Sequence, residues 1–177
     1  MNKDIVILSG SPRKGGNTEK LAAAFKEGAE SVGNSVTVFG ITTMKIEGCI
    51  GCEFCLNNPG KCTHKDDMPK ILDALYKADV VVWASPVYYF SVTAQLKAVI
   101  DRTYPLINDN TKQAVLLLTC ADESSDTAEG ALAIYHKTVD YYKWKDAGVI
   151  IAAGVEHMGD IDGHTALVEA IKLGQGF

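Results

Sequence analysis

Five short apolar segments, separated by stretches with helical periodicity, constrain the fold of this chain more than any other feature. The segments are rich in Val, Ile and Leu with little polar alternation, which is typical of parallel strands covered on both faces. They are Asp4–Ser9, Ser35–Gly40, Asp79–Ser85, Gln113–Cys120 and Gly148–Gly154. Between them, apolar residues share helical faces, such as the set Leu21, Phe25, Gly28 and Val32 and the set Ala128, Leu132, Tyr135, Val139 and Tyr142. This alternation predicts an α/β fold.

The intervals between strand starts predict one insertion. The strands start near residues 4, 35, 79, 113 and 148, and the second interval exceeds the others by about ten residues. Four of the five cysteines lie in that interval, between Cys49 and Cys62. We therefore expect a single domain over residues 1–177 with a Cys-rich loop insertion at about 48–64, after which a helix resumes at Asp67, which can cap it.

Charge and hydropathy exclude several partner classes. Seventeen Lys and Arg against 22 Asp and Glu leave a net charge of -5, and no basic run is present, so we expect no nucleic-acid partner. The longest apolar runs, such as Ala114–Leu118, are strand-sized and far too short to cross a bilayer, so we expect no membrane partner. The first residues carry no readable signal peptide, which predicts a cytoplasmic location.

The first strand runs into the glycine-rich segment GSPRKGGNT, Gly10–Thr18, with a helix directly after it. A helix start offers unpaired N–H groups and a positive dipole end, both of which stabilise an anion. Four side chains add hydroxyl, guanidinium or amide donors: Ser11, Arg13, Asn17 and Thr18. Gly16 stands where a P-loop needs lysine, and G-x-G-x-x-G is absent, so the segment suits a single terminal phosphate. The alternative is a glycine-rich turn without a ligand.

An aromatic segment, Ser85–Ser91, follows the third strand. In a sheet of order 2-1-3-4-5, the carboxyl ends of strands one and three flank a ligand-binding crevice. Aromatic rings and backbone amides beside a phosphate loop would suit a flat heteroaromatic ligand. The alternative is that Tyr88, Tyr89 and Phe90 only pack the top of the sheet.

Several motifs together resemble those of the NADPH-dependent FMN reductase and iron–sulfur flavoprotein group of flavodoxin-like proteins. They are GSPRKGGNTEKL, GCIGCEFC, DDM, SPVYYFSVTAQLKAVIDR and the closing GVEHMGDIDGHTALVEAIKLG, which extend the likeness over nearly the whole chain. The resemblance implies a flavodoxin-like three-layer sandwich with a five-stranded parallel sheet in order 2-1-3-4-5. It also implies an FMN phosphate on Ser11, Arg13, Asn17 and Thr18, an isoalloxazine ring along Pro86, Val87, Tyr88, Tyr89 and Phe90, and closure of one side by Cys120 and Asp122.

The resemblance further implies an FMN-dependent enzyme that oxidises NAD(P)H and reduces a flavin, a quinone or another small acceptor. The alternative is an iron–sulfur flavoprotein that carries electrons between redox protein partners. In either role the flavin performs the chemistry, and no acid–base pair stands out in the sequence, so we assign no catalytic side chain. The family likeness implies a homodimer or homotetramer. The preference between NADH and NADPH stays open.

The cysteine cluster has the spacing C-x2-C-x2-C-x6-C, formed by Cys49, Cys52, Cys55 and Cys62. Four thiolates on one short loop can hold a [4Fe–4S] cluster, and the spacing resembles the compact motif of iron–sulfur flavoproteins. Four thiolates also suit a structural zinc ion, and His64 is close enough in sequence to replace one ligand. The third possibility is that the thiols are free, and the sequence leaves all three open.

Overall fold

The computed structural model describes residues 2–58 and 61–177, and these form a five-stranded parallel sheet in the order β2-β1-β3-β4-β5. The predicted α/β class and strand order are therefore confirmed. The strands are β1 Asp4–Ser9, β2 Ser35–Gly40, β3 Val80–Pro86, β4 Gln113–Thr119 and β5 Lys145–Ala152. The helices are α1 Asn17–Ser31, α2 Phe54–Asn57, α3 Met68–Lys77, α4 Ala94–Asp101, α5 Glu129–Tyr142 and α6 Thr165–Gln175.

Two hydrophobic cores, one on each face of the sheet, give the three layers. Val6, Leu8 and Trp83 face the side covered by α3, α4 and α5. Ile5 and Ile7 face the side covered by α1 and α6. Because both faces of the central strands are buried, apolar residues occupy successive positions, which is why these strands show little polar alternation.

The fifth strand differs most from its prediction. It begins at Lys145, before the predicted start at Gly148. Its first residues are polar and exposed, so apolar periodicity does not indicate them as a strand. Ala114 pairs with Asp146 and Val115 with Gly148, so the pairing shifts by one residue at a bulge. The strand also ends earlier than predicted, at residue 152.

Two helix predictions need correction. The apolar periodicity predicts that Val32 shares a helical face with Leu21 and Phe25, but α1 ends at Ser31 and Val32 is 48% exposed. Asp67 was expected to cap α3, but it makes no capping bond. Its carboxylate instead accepts from the Lys45 amide at 2.9 Å and from Lys70 Nζ at 2.7 Å. None of the helices in the described ranges is both long and apolar enough to cross a membrane.

Helices α1 and α6 approach each other closely through two glycines. A Cβ at Gly28 would overlap the Ile171 carbonyl, and a Cβ at Gly174 would overlap the Phe25 carbonyl. Since these neighbours are backbone atoms inside helices, no side-chain rotation can make room for a methyl group. The contact brings the last helix of the chain against the helix that starts at the glycine-rich loop.

We expect Gly28→Ala to lower the free energy of unfolding by about 1–3 kcal/mol, because overpacking outweighs the better helix propensity of alanine. Urea unfolding followed by circular dichroism measures this change. Gly48→Ala is the control, since its added methyl group meets nothing within 4 Å. Equal stability of the two variants would contradict the close helix contact.

Candidate functional site

A cavity of about 260 Å³ opens at the carboxyl ends of β1, β3 and β4. It lies at the edge where the strand order reverses direction, as ligand sites of open α/β sheets do. Eight of the residues predicted to bind a cofactor line it: Ser11, Arg13, Asn17, Thr18, Pro86, Val87, Tyr88 and Cys120. Ala121, between the predicted Cys120 and Asp122, lines it too, and so do three residues that the sequence did not indicate, Thr119, Val155 and Glu156.

The glycine-rich loop is held in a turn by its own backbone. Gly10 N–H donates to the Ala84 carbonyl at 2.8 Å, which anchors the loop on β3, and Gly16 N–H donates to the Arg13 carbonyl at 3.1 Å. Gly16 precedes α1 in an extended conformation, and no side chain caps the helix. The first-turn amides have no intrahelical partner and are free to bind an anion.

Asn17 holds the loop after β5 against the start of α1. Its Nδ2 donates to the carbonyls of His157 at 2.8 Å and Val155 at 3.3 Å, and its Oδ1 accepts from Gly159 N–H at 3.1 Å. The side chain does not cap α1. All of these bonds are to backbone groups more than a hundred residues away, so Asn17 positions one wall of the cavity.

Arg13 and Thr18 also connect the loop to distant elements. Arg13 Nη1 donates to the Glu156 carbonyl at 2.9 Å. The hydroxyls of Thr18 and Thr119 lie 2.6 Å apart in the buried floor of the cavity. Thr119 ends the apolar strand β4 with a polar side chain at the ligand-binding edge, a signal that would have identified it from the sequence.

The aromatic segment forms a tight two-residue turn. Tyr88 and Ser91 exchange backbone hydrogen bonds of 2.9 and 3.1 Å, while Tyr89 and Phe90 between them have φ values of 49° and 62°. Two consecutive aromatic residues in the left-handed region are strained, and such strain often accompanies function. The Phe90 carbonyl packs against Gly130 of α5, and a Cβ at Gly130 would overlap this carbonyl.

Only one of the three rings lines the cavity. Tyr88 is at its wall, whereas Tyr89 is fully exposed at 100% and Phe90 is 61% exposed at the tip of the turn. Contact of these two rings with an isoalloxazine stays a prediction, as does the homodimer or homotetramer.

Cys120 and Asp122 occupy different environments. Cys120 is buried at the cavity wall. Burial, and to a smaller extent the nearby Asp122 carboxylate, raises the pKa of its thiol, so the thiol stays neutral. Asp122 is exposed and does not line the cavity. Its carboxylate accepts from the Ser124 amide at 2.9 Å.

The four clustered cysteines line a second cavity, of about 420 Å³. Cys49 and Cys52 are exposed, and Cys55 and Cys62 are half-buried. The Phe54 amide, then the Thr63 hydroxyl, lower the pKa of Cys52. Burial raises the pKa of Cys55, and the other three thiols raise it further.

The donor set of this cavity has the chemistry of an iron–sulfur ligand set. Four thiols come from one loop, as a cluster requires. Within residues 2–58 and 61–177, however, no three His, Cys, Asp or Glu side chains converge on a position for a single metal ion. The cavity also holds two buried nitrogen atoms without a hydrogen-bond partner, His64 Nε2 and Arg102 Nε.

A buried ion pair closes the base of the cysteine loop. Arg102 and Asp66 form a two-pronged pair, with the second bond, Nη2 to Oδ1, at 2.9 Å, and their side chains are 2% and 1% exposed. The Asp66 carboxylate also accepts from the amides of Glu47 at 2.9 Å and Met68 at 3.2 Å. The two ends of the loop are therefore held together independently of any ligand.

Comparison with known proteins shows what this chain resembles. The family model of NADPH-dependent FMN reductases matches residues 4–156. An iron-sulfur flavoprotein of Archaeoglobus fulgidus is 44% identical over 100 residues, which are 56% of this chain and 45% of that protein. The chain thus spans about half the length of this relative.

Two solved structures have the same fold. The NAD(P)H:quinone oxidoreductase of Methanothermobacter marburgensis superposes with a TM-score of 0.76 at 19% identity, covering 99% of this chain and 96% of that one. An azoreductase of Bacillus anthracis superposes with a TM-score of 0.79 at 17% identity, covering both chains fully at 100%. These likenesses confirm the predicted flavodoxin-like three-layer sandwich.

The Asp66–Arg102 pair makes stability depend on pH. Burial favours the neutral acid, but the Arg102 hydrogen bonds and the two amides outweigh it and lower the pKa of Asp66 from 3.8 to about 2. Since the folded-state pKa is depressed, the stabilisation is present above about pH 4 and is lost as the pH falls towards 2. It amounts to roughly 2 kcal/mol.

We therefore expect Asp66→Asn to cost about 3 kcal/mol or more at pH 7, because it leaves a buried guanidinium without its counter-charge. The variant should lose less additional stability than wild type between pH 5 and pH 3. Urea unfolding at both pH values measures this, with Asp162→Asn as a control that removes only an exposed pair with Lys20. Parallel pH dependence of wild type and Asp66→Asn would contradict the depressed pKa.

Proposed function

Because this chain belongs to the NADPH-dependent FMN reductase family, we propose that it is an FMN-dependent oxidoreductase that takes electrons from NAD(P)H and passes them to a small acceptor. The acceptor class is a flavin, a quinone or another small oxidant. The observation that carries the proposal is the cavity at the carboxyl edge of the sheet, which joins an anion-binding loop to an uncharged wall.

The loop end of this cavity suits the FMN phosphate. Ser11 and Thr18 offer hydroxyls, and the start of α1 offers backbone amides with a positive dipole end. Arg13 uses one of its five N–H donors on the Glu156 carbonyl, so the guanidinium keeps donors and a permanent charge for a phosphate oxygen. Asn17 acts indirectly, by fixing the loop that forms the opposite wall.

The other end suits the isoalloxazine ring. Pro86, Val87 and Tyr88 form a wall without charged side chains, and the Cys120 thiol, which lines the same cavity, is held neutral. When bound there, FMN supplies hydride and single-electron chemistry. The side chains orient the ring and limit its contact with water, and Tyr89 and Phe90 extend from the rim where a nicotinamide or an acceptor would approach.

We expect the double variant Arg13→Ala, Thr18→Ala to bind FMN roughly 10- to 100-fold more weakly, since it loses a charge-assisted and a neutral hydrogen bond. Quenching of FMN fluorescence on titration measures this affinity. Lys14→Ala is the matched control, because Lys14 is the next cation on the loop but does not line the cavity. Unchanged affinity in the double variant, or an equal loss in the control, would contradict the phosphate placement.

Steady-state oxidation of NADPH and NADH by the FMN-loaded protein tests the activity. We expect turnover with a quinone or free flavin as acceptor. The double variant Arg13→Ala, Thr18→Ala should regain this turnover at saturating FMN, because the wall proposed to hold the isoalloxazine ring is unchanged. Absence of turnover with every small acceptor, in protein that retains FMN, would refute the reductase and leave the electron carrier.

The cysteine cavity supports a second function, that of a [4Fe–4S] site held by Cys49, Cys52, Cys55 and Cys62. A cluster would supply one-electron exchange. The observation that supports it is that all four cysteines line one cavity, with the spacing that the sequence motif requires. The Archaeoglobus fulgidus relative, of which this chain spans about half, is named an iron-sulfur flavoprotein, and the match covers 56% of this chain.

After anaerobic reconstitution we expect about four irons and four acid-labile sulfides per chain in wild type, and much less of both in Cys52→Ala. Cys120→Ala is the control, because Cys120 lies at the other cavity. Wild-type protein that retains no iron yet oxidises NADPH at full rate would remove the cluster and keep the reductase.

A further inference from the structure

Arg102 is a buried cation that the proposed flavin chemistry does not use. It follows α4 and is 4% exposed, yet it lines the cavity of the four cysteines. Its Nη1 and Nη2 bind the Asp66 carboxylate, and Nη1 also donates to the Glu47 carbonyl at 3.0 Å. The Arg102 guanidinium therefore contacts Glu47, just before the cysteine loop, and Asp66, just after it.

We propose that Arg102 is the positioning residue of the cysteine loop: it holds the loop in its ligand-presenting form before any cluster binds, and it places a fixed positive charge beside Cys62. The first part concerns the loop without metal. The second part rests on the proposed cluster site.

The contacts of Arg102 support the positioning role. The loop spans residues 48–64, and its ends meet through Asp66, which binds the Glu47 amide at 2.9 Å, and through Asp67, whose amide donates to the Lys45 carbonyl at 2.9 Å. Arg102 is the group from outside this segment that neutralises Asp66. Without the guanidinium, a buried carboxylate would lose its counter-charge and the loop closure would weaken.

The position of the cation supports the electrostatic role. Arg102 lines the same cavity as Cys62 and the other three clustered cysteines, so its permanent charge lies beside their side chains. Its Nε is buried without a hydrogen-bond partner. Four thiolates gathered in one cavity repel one another, and a buried permanent charge reduces that repulsion.

Lys112 provides a matched control for the experiment. Its side chain is also 2% exposed, and Nζ pairs with Asp109 at 2.9 Å and donates to the Ala78 carbonyl at 2.8 Å. It is a second buried cation of the sheet, but it does not line the cysteine cavity. Lys112→Met therefore reproduces the loss of a buried charge without a direct effect on the loop.

The test is limited trypsin digestion of the metal-free, FMN-bound protein, at temperatures equally far below the unfolding midpoint of each variant. Lys61 and Lys65 are exposed cleavage sites within and beside the loop. We expect Arg102→Met to be cut there at least about tenfold faster than wild type, Arg102→Lys to be intermediate, and Lys112→Met to match wild type. Equal cutting of Arg102→Met and wild type, or of Arg102→Met and Lys112→Met, would overturn the positioning role.

A second readout tests the charge beside Cys62. After anaerobic reconstitution, we expect Arg102→Met to retain less iron than wild type, and the iron it retains to have a more negative midpoint potential, because loss of a nearby positive charge disfavours reduction. Arg102→Lys should restore both in part. If Arg102→Met does not fold, the same measurements on Arg102→Lys test the proposal. An iron content, midpoint potential and digestion rate equal to those of wild type in Arg102→Lys would overturn it. FMN content, measured in each sample, reports separately on the reductase.

Discussion

Parallel pairing of all five strands is the constraint on which the rest of this structure depends. Parallel strands bring every carboxyl end to one edge of the sheet, and their crossover helices cover both faces. The faces are consequently filled with apolar side chains, so polar groups that bind ligands are confined to the loops of that edge. The glycine-rich loop, the aromatic turn and the segment after β4 meet there although they are distant in sequence.

The cavity at this edge is built by long-range polar contacts. Asn17 and Arg13 bind backbone carbonyls of the segment after β5, and Lys20 forms an ion pair with Asp162 at 2.6 Å in the same region. The close glycine contact between α1 and α6 holds the two helices that flank these segments. The glycine-rich loop and the segment after β5 are therefore one connected unit.

The cysteine loop is attached by a different device. Large apolar side chains among its described residues are exposed, with Ile50 at 66% and Leu56 at 43%. A buried ion pair and backbone bonds hold its base together. Removing one partner of such a pair is costly, so Asp66 and Arg102 keep the thiols together at the side of the fold. The cysteine loop and the cavity at the carboxyl edge of the sheet are therefore held by separate sets of polar contacts.

The sequence by itself determined the α/β class, the positions of β1–β4 to within one residue, the glycine-rich loop and the cysteine cluster, because periodicity, turn residues and spacing are local properties. It did not determine the start of β5, whose polar opening resembles a loop, or the bonding of Asp67, which its neighbour across the loop base decides. Only the tertiary structure revealed that Asn17 hydrogen-bonds to the 155–159 segment, that Thr119 lines the cavity and that Arg102 bonds to the base of the cysteine loop. Each of these depends on a partner far away in the chain, and the chain path that creates such contacts is fixed by packing of the whole sheet and its helices, not by any short run of residues.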